Sequence, residues 1–380
     1  MTSGRKKTIL HFIDSGGVYG AENVILNLSH EMQAAGVYEP IVGCIVPDSS
    51  QRNDLFEAAQ TRGLRAEKII IRNGALGWDL PRAARKLSEL GVDLIHSHGY
   101  KPSVFGHLMK AVSGIPVMAT CHLWFKGENR PAKMRFMIWL ELLFYRRFSA
   151  VVGVSEAIGQ VLLQAGVKPE AIRIVQNGVP VPSGGPDPAI RRRLRQELGL
   201  AEDDFVVINT GRLTRQKSQR TLVEAAALMC KEEEGVRFLI VGEGDLHEAL
   251  KRDIDHRNLA DMVSLLGFRS DIPDLLTAAD IFALPSLDEG MPMSLIEATA
   301  AGLPIVSTAV GDIPKLIVDG KSGRLVPLED APALAAAIRD LRHNPDRALA
   351  LSHSALDIMQ REYSAAAMYR QYAEVYAGLI

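Results

Sequence analysis

The chain has 380 residues, 47% hydrophobic and 23% charged, with 43 Lys and Arg against 45 Asp and Glu. This is the composition of a globular protein long enough for two separate cores, and no apolar run approaches the ~20 residues needed to cross a bilayer. Cys44, Cys121 and Cys230 stand apart without C-x-x-C spacing, which excludes a disulfide framework or a cysteine zinc site and fits a cytosolic location. The charge is unevenly spread. Residues 1–182 carry 21 basic and 15 acidic side chains, and the remainder 22 and 30. A basic first half suggests an anionic partner, but its cations are dispersed, with no arginine-rich arm or interleaved aromatics, so nucleic acid is not expected.

After the basic Arg5, Lys6 and Lys7, the short run Thr8–Ile13 is interrupted by His11 and followed by Asp14. It reads as a first strand rather than a signal peptide. Strand-like runs follow at Pro40–Val46, Asp93–His96, Pro116–Thr120, Ala150–Val154 and Arg173–Val175, separated by longer amphipathic stretches. Alternation of this kind predicts parallel βαβ units. The stretch from Asn177 to Pro186 is the richest in Pro and Gly, and a domain boundary is expected there, with residues 1–182 as one unit and 183–360 as the next. The second unit repeats the alternation through Phe205–Thr210, Arg237–Val241, Met262–Leu265, Asp280–Leu284, Ile305–Ser307 and Arg324–Val326. The last segment, 361–380, is helical in pattern, with Tyr369, Tyr372 and Tyr376 on one side. The predicted architecture is α/β, two doubly wound sheets in tandem.

Several strand ends carry residues suited to chemistry. The first strand runs into Gly16 and Gly17 before a helix begins near Ala21, a turn whose backbone a phosphate can approach. Strand Phe205–Thr210 leads to Gly211-Arg212-Leu213-Thr214-Arg215-Gln216-Lys217-Ser218, and Arg212 and Lys217 are suited to a diphosphate. Strand Phe238–Val241 ends in Gly242. Strand Asp280–Leu284 opens into Glu289-Gly290-Met291-Pro292-Met293, with Pro292 where a helix would start, and Glu297 follows inside that helix among Leu295, Ile296, Ala298 and Ala300. A carboxylate in apolar company is rare unless paired or working. His122 follows strand Val117–Thr120, while His96 and His98 end another strand beside Gly99 and Tyr100. Asp253 and Asp255 form a D-x-D, but residues two apart do not share a face of the polar helix Asp245–Arg257. No metal site is expected there.

The segment Ser286–Ala298, continued by Ala300–Ile305, resembles the E-x7-E motif of family 4 (group 1) retaining glycosyltransferases of the GT-B fold, and the resemblance extends over nearly the whole chain. It implies that Glu289 contacts the donor sugar and Glu297 the ribose. It implies a diphosphate role for Arg212 and Lys217, a base-binding role for Phe268 and Arg269 after Gly267, and a place beside the donor for Gly16 and Gly17. His122 matches the family's T-x-H, near the sugar and the reaction centre. One departure is Ser218, where the family commonly has glycine. The implied reaction moves a sugar from a nucleotide-sugar, a UDP-sugar in preference to GDP-mannose, to a lipid-linked or glycan acceptor, without metal or cofactor. In that fold the terminal helix crosses back to the first domain. A sugar-nucleotide epimerase and a non-catalytic sugar-nucleotide-binding protein are the alternatives. The apolar helix Lys133–Phe148, with basic ends, adds an expectation of peripheral contact with anionic lipid at the inner membrane face.

Overall fold

The computed structural model describes residues 5–72, 74–122, 132–181 and 187–380, with only the backbone of Ala132, Lys133 and Met134. Half of the expected Pro/Gly linker, residues 182–186, and Leu123 beside His122, lie outside the described residues. In chain order the elements begin with β1 (Lys7–Ile13), α1 (Gly20–Ala35), β2 (Tyr38–Val46), α2 (Asp54–Thr61), β3 (Ala66–Ile70), α3 (Leu76–Glu89) and β4 (Val92–His98). Then come α4 (Tyr100–Ser113), β5 (Val117–Cys121), α5 (Ala132–Tyr145), β6 (Val151–Gly153), α6 (Glu156–Gln164) and β7 (Ile172–Ile174). The next set is α7 (Pro188–Glu197), β8 (Phe205–Thr210), α8 (Gln219–Met229), β9 (Val236–Val241), α9 (His247–His256), β10 (Val263–Gly267) and α10 (Ile272–Ala278). The series closes with β11 (Ile281–Leu284), α11 (Met293–Ala300), β12 (Ile305–Thr308), α12 (Ile313–Leu316), β13 (Arg324–Val326), α13 (Ala331–His343), α14 (Pro345–Glu362) and α15 (Ala365–Ala377).

The strands form two all-parallel sheets, ordered β3-β2-β1-β4-β5-β6-β7 and β10-β9-β8-β11-β12-β13. Such sheets are covered by helices on both faces, so their strands are apolar on both sides. In β1, for example, Ile9, Leu10 and Phe12 are all fully buried. Strand order reverses between β1 and β4, and again between β8 and β11. Loops leaving the carboxyl ends of such pairs diverge and open a crevice, the usual place for a ligand.

The chain divides into one unit of residues up to Gly178 together with Ser364–Ile380, and a second unit of Val179–Tyr363. The division falls a few residues from the one expected, because the Val179 N–H donates to Tyr363 O and the Val179 side chain belongs to the second core. Helix α15 packs in the first unit, against α1. Its Met368, Tyr372 and Tyr376 are buried at helical spacing.

Sequence reading missed β3. It is an edge strand whose Glu67 and Lys68 are half-buried, so its apolar pattern is weak. The expected strand Arg173–Val175 lies one residue earlier, at β7. Pro292 sits in the N-cap position rather than the first turn, with α11 starting at Met293.

Candidate functional site

In the second unit, two loops meet across the switch point. The β8 loop is stitched to the β11 loop by two hydrogen bonds: the Leu287 N–H donates to Gln216 O (2.8 Å), and the Gln216 side-chain amide donates to Asp288 O (2.7 Å). This brings Lys217 Nζ to 2.6 Å from Glu289 Oε1, with the lysine side chain 15% and the glutamate side chain 2% exposed. The approach is close but not aligned as a hydrogen bond, so that oxygen still lacks one. Arg212, from the same loop, is exposed, and no described residue engages its guanidinium. Sequence reading passed over Gln216. A polar residue between two cations gave no sign that it clasps the partner loop.

The loops are also fixed by glycines. A Cβ on Gly242 would lie 2.0 Å from Gly211 O, and one on Gly311 would lie 2.0 Å from Glu289 O. Gly311 follows β12, and the neighbouring Asp312 N–H donates to Gly290 O (3.0 Å). The Glu289-Gly290 backbone therefore rests directly on a residue that the sequence offered no reason to choose. Gly242 N–H donates to Gly267 O (2.8 Å), which ties the ends of β9 and β10 together.

Ser218 has φ 49° and ψ 38°, the left-handed conformation that glycine adopts freely. The loop therefore keeps a glycine-like backbone with a serine in it, and Ser218 Oγ meets Thr221 Oγ1 at 2.9 Å. Holding a non-glycine residue there costs about 1–2 kcal/mol. Ser218→Gly relieves that strain but loosens the unfolded chain, so a net gain of about 0.5–1 kcal/mol is expected in denaturant unfolding. A loss of stability would instead mean that the Thr221 contact outweighs the backbone strain.

Glu297 lies on α11 behind the β11 loop. It is mostly buried, and no described residue pairs with its carboxylate. Burial pushes that carboxyl up to about 7. Met291 and Pro292 are buried, while Met293 is half-buried. Phe268, after β10, is 72% exposed. Arg269 is not free: its guanidinium is bound by Asp271 (2.8 and 2.6 Å) and by Glu197 (2.9 Å). Asp253 pairs with Arg257 one turn on, whereas Asp255 is exposed.

In the first unit, Gly16 and Gly17 follow β1. Their loop is held by Glu22, which accepts from Ser15 Oγ (2.6 Å) and from the Tyr19 N–H (3.1 Å). Lys101, near the start of α4, pairs with Asp14 across the switch point of this sheet. His11, His96, His98, Thr120 and His122 share one sheet face, because residues alternate along strands and His11 lies level with His96, and His98 with Thr120. His98 Nδ1 lies 3.1 Å from His122 Nε2, and His98 Nε2 lies 3.2 Å from His11 Nδ1. His96 is turned instead towards α15, with Nδ1 at 2.9 Å from the Tyr376 hydroxyl and Nε2 at 2.7 Å from Thr120 Oγ1. Thr120 Oγ1 also meets the Tyr372 hydroxyl at 2.8 Å. Of the two histidines that end β4, His96 is thus committed to the C-terminal helix. The ring nitrogens of His11, His96 and His98 lie within 4.8 Å of one another, but an ion there would displace hydroxyl partners from His96. Burial lowers all four rings, His11 to about 3 and His122 to about 4.

Helix α5 spans most of the expected apolar helix. Phe136 and Trp139 are 56% and 57% exposed and neighbour one another, their ring centroids 5.8 Å apart. Glu141 is buried and meets the Tyr145 hydroxyl. Arg146 Nε donates to Ala165 O, and Arg147 is exposed. Among the described residues no helix is long and apolar enough to cross a membrane.

Residues 18–181 match the family described as Glycosyltransferase Family 4, and residues 190–356 the family Glycosyl transferases group 1. The chain is 31% identical over 255 residues to the UDP-Gal:alpha-D-GlcNAc-diphosphoundecaprenol alpha-1,3-galactosyltransferase of Escherichia coli. That alignment covers 65% of this chain and 65% of the relative's own length. A D-inositol 3-phosphate glycosyltransferase of Corynebacterium aurimucosum is 26% identical over 389 residues, covering 96% of this chain and 92% of the relative. The crystal structure of Anabaena HepE in complex with UDP and glucose shares the fold, with a TM-score of 0.81 and 24% identity, over 98% of this chain and 100% of that one.

Proposed function

We propose that this chain, which belongs to the family 4, group 1 glycosyltransferases, moves a sugar from a UDP-sugar to a lipid-linked or polysaccharide precursor, with retention of configuration. The reading is carried by one observation above the others: the pairing of Lys217 with the buried Glu289, on the loop that also carries the unengaged Arg212, at the switch point of the second sheet. Charge grows on the diphosphate as the bond from the sugar's anomeric carbon to the phosphate oxygen breaks. Two cations from the one loop, Lys217 held by Glu289 and Arg212 free to turn to the ligand, stabilise it there. A new bond forms from that carbon to the acceptor oxygen, and the acceptor's proton leaves with the nucleotide diphosphate. In this reading Glu289 orients the sugar hydroxyls and holds Lys217, Glu297 accepts from the ribose hydroxyls, and the backbone of Gly290–Met293 lines the donor. Gly16, Gly17 and Gly242 leave room for phosphate, and His122 serves the sugar side. Arg269 would act through its backbone, since its side chain is engaged.

Support for UDP comes from the names of the relatives, two of which carry UDP. A thermal-shift comparison tests it: UDP is expected to stabilise the protein more than GDP or ADP at equal concentration. A larger shift with GDP would make GDP-mannose the donor. Transfer is expected to persist in EDTA, and loss in chelator would return Asp253 and Asp255 to consideration.

A lipid-linked acceptor implies contact with a membrane surface, and α5 offers the means. Phe136 and Trp139 are large, exposed and adjacent, with Arg135 beside them. Partition of two such rings, aided by cations, is screened only in its electrostatic part. Cosedimentation with anionic vesicles is expected at low salt, and Phe136→Ala with Trp139→Ala should abolish it without changing UDP affinity. Unaltered cosedimentation would exclude this helix. The pair is a cleaner test than Arg146, whose guanidinium is tied to the Ala165 carbonyl.

A further inference from the structure

The three histidines His11, His98 and His122 form a single file of ring nitrogens across β1, β4 and the end of β5. The file has a definite end. His11 Nε2 lies 3.3 Å from the Met32 sulfur on α1. A thioether sulfur has no proton and can only accept. The Nε2 of His11 therefore carries a hydrogen, and its Nδ1 is left as an acceptor. His98 must then donate from Nε2 to His11 and accept at Nδ1. His122 must donate from Nε2 to His98. In a neutral imidazole only one nitrogen is protonated, so each ring has one tautomer available.

We infer that Met32, His11 and His98 act as positioning residues that fix His122 as its Nε2–H tautomer, so that the ring meets substrate through an unprotonated Nδ1 and accepts a hydrogen bond from a hydroxyl. Burial favours neutral rings throughout, which keeps the relay intact near neutral pH. The groups facing it are His96 from β4, Thr120 from β5 and Tyr372 and Tyr376 from α15. These form a second, separate string in which both His96 nitrogens are already taken. No charged side chain of the described residues hydrogen-bonds to the relay. The substrate class that suits a bare imidazole nitrogen is a hydroxyl of the sugar or of the acceptor, not a phosphate oxygen, which also only accepts.

This inference rests on His122 lying beside the reacting sugar, and the tests separate the two claims. Long-range nitrogen–proton NMR spectra of histidine-labelled protein distinguish the tautomers directly, without substrate. His11, His98 and His122 are expected to show a protonated Nε2 and a bare Nδ1. Met32→Leu keeps the volume but removes the acceptor that sets the direction. His122 should then become a mixture of tautomers and turnover should fall severalfold, with UDP affinity unchanged. His98→Asn retains an amide oxygen near the position of Nδ1 and should preserve both the His122 tautomer and most turnover. His98→Gln fills the space more fully but places its amide nearer the position of Nε2, and turnover should drop about tenfold, the scale of one or two net hydrogen bonds. A packing role predicts the reverse order. A protonated Nδ1 on His122 in the unsubstituted protein, or equal losses for Asn and Gln, would overturn the inference. The expected spectra together with full turnover in His122→Ala would uphold the tautomer relay and remove His122 from the reaction.

Discussion

Lys217→Ala is expected to lower turnover by about 10²–10³, the usual effect of deleting one preorganised group at developing charge. It should also destabilise the fold, unlike most changes at a loop cation. The reason is Glu289, whose side chain is 2% exposed and whose charge is answered by Lys217 at 2.6 Å. Breaking a buried pair from one side leaves an uncompensated carboxylate, at a cost of about 3–5 kcal/mol if no water reaches it. The double variant Lys217→Ala with Glu289→Gln should therefore regain most of the stability and none of the turnover. Arg212 provides the contrast. It is exposed and unengaged, so Arg212→Ala should reduce turnover and leave the unfolding midpoint unchanged. Affinity for free uridine, which has no phosphate, should be little affected in either single variant. A parallel loss of uridine affinity would move these residues from the diphosphate to the base or ribose.

Glu297→Gln should act in opposite directions on stability and binding. Burial raises the folded carboxyl from its ordinary 4.5 to about 7, so the folded chain holds this proton more tightly than the unfolded chain. The stability associated with the group is complete below about pH 4.5 and is lost as pH rises through about 7, to the extent of about 3–4 kcal/mol. Glutamine has no proton to lose, so above pH 7 the ligand-free variant should be the more stable protein. Nucleotide binding should weaken by about 1.5–3 kcal/mol, because a charged acceptor for ribose hydroxyls becomes neutral. The unsubstituted protein should bind UDP more tightly at about pH 8 than at about pH 6, since the carboxylate is the binding form and its proton must first leave. The variant should keep only the weaker dependence that comes from ionisation of the terminal phosphate near pH 6. Unchanged UDP affinity in a folded variant would remove Glu297 from the ribose.

What the sequence made legible was what local pattern can carry. The parallel strands of both sheets were visible as short apolar runs, since burial on both faces leaves no polar alternation. The edge strand β3 was hidden because Glu67 and Lys68 interrupt it. At the site, Lys217, Glu289 and Glu297 stood out as charges at strand ends or in apolar company. Gln216, Gly311 and Ser15 did not. Gln216 acts through a backbone carbonyl 72 residues away, and Gly311 matters only because another loop lies against it. The histidines gave a mixed result. The T-x-H pattern pointed to His122, but nothing local separated His98, which touches it, from His96, which turns towards α15. That distinction depends on Tyr372 and Tyr376, more than 250 residues further along the chain.

The same distance bears on how the protein is made. Residues 179–363 form one contiguous unit, able to close its core as soon as they have been synthesised. The first unit, though translated earlier, lacks the hydroxyls that satisfy His96 and Thr120 until α15 has emerged. A buried imidazole and hydroxyl without those partners would carry an unmet desolvation cost. The second unit is therefore expected to reach its native packing without residues 364–380, and the first unit only with them. A chain truncated after residue 363 and freed from the ribosome should hold a protease-resistant 179–363 fragment beside a susceptible first unit. Resistance there should appear only when the last seventeen residues are added.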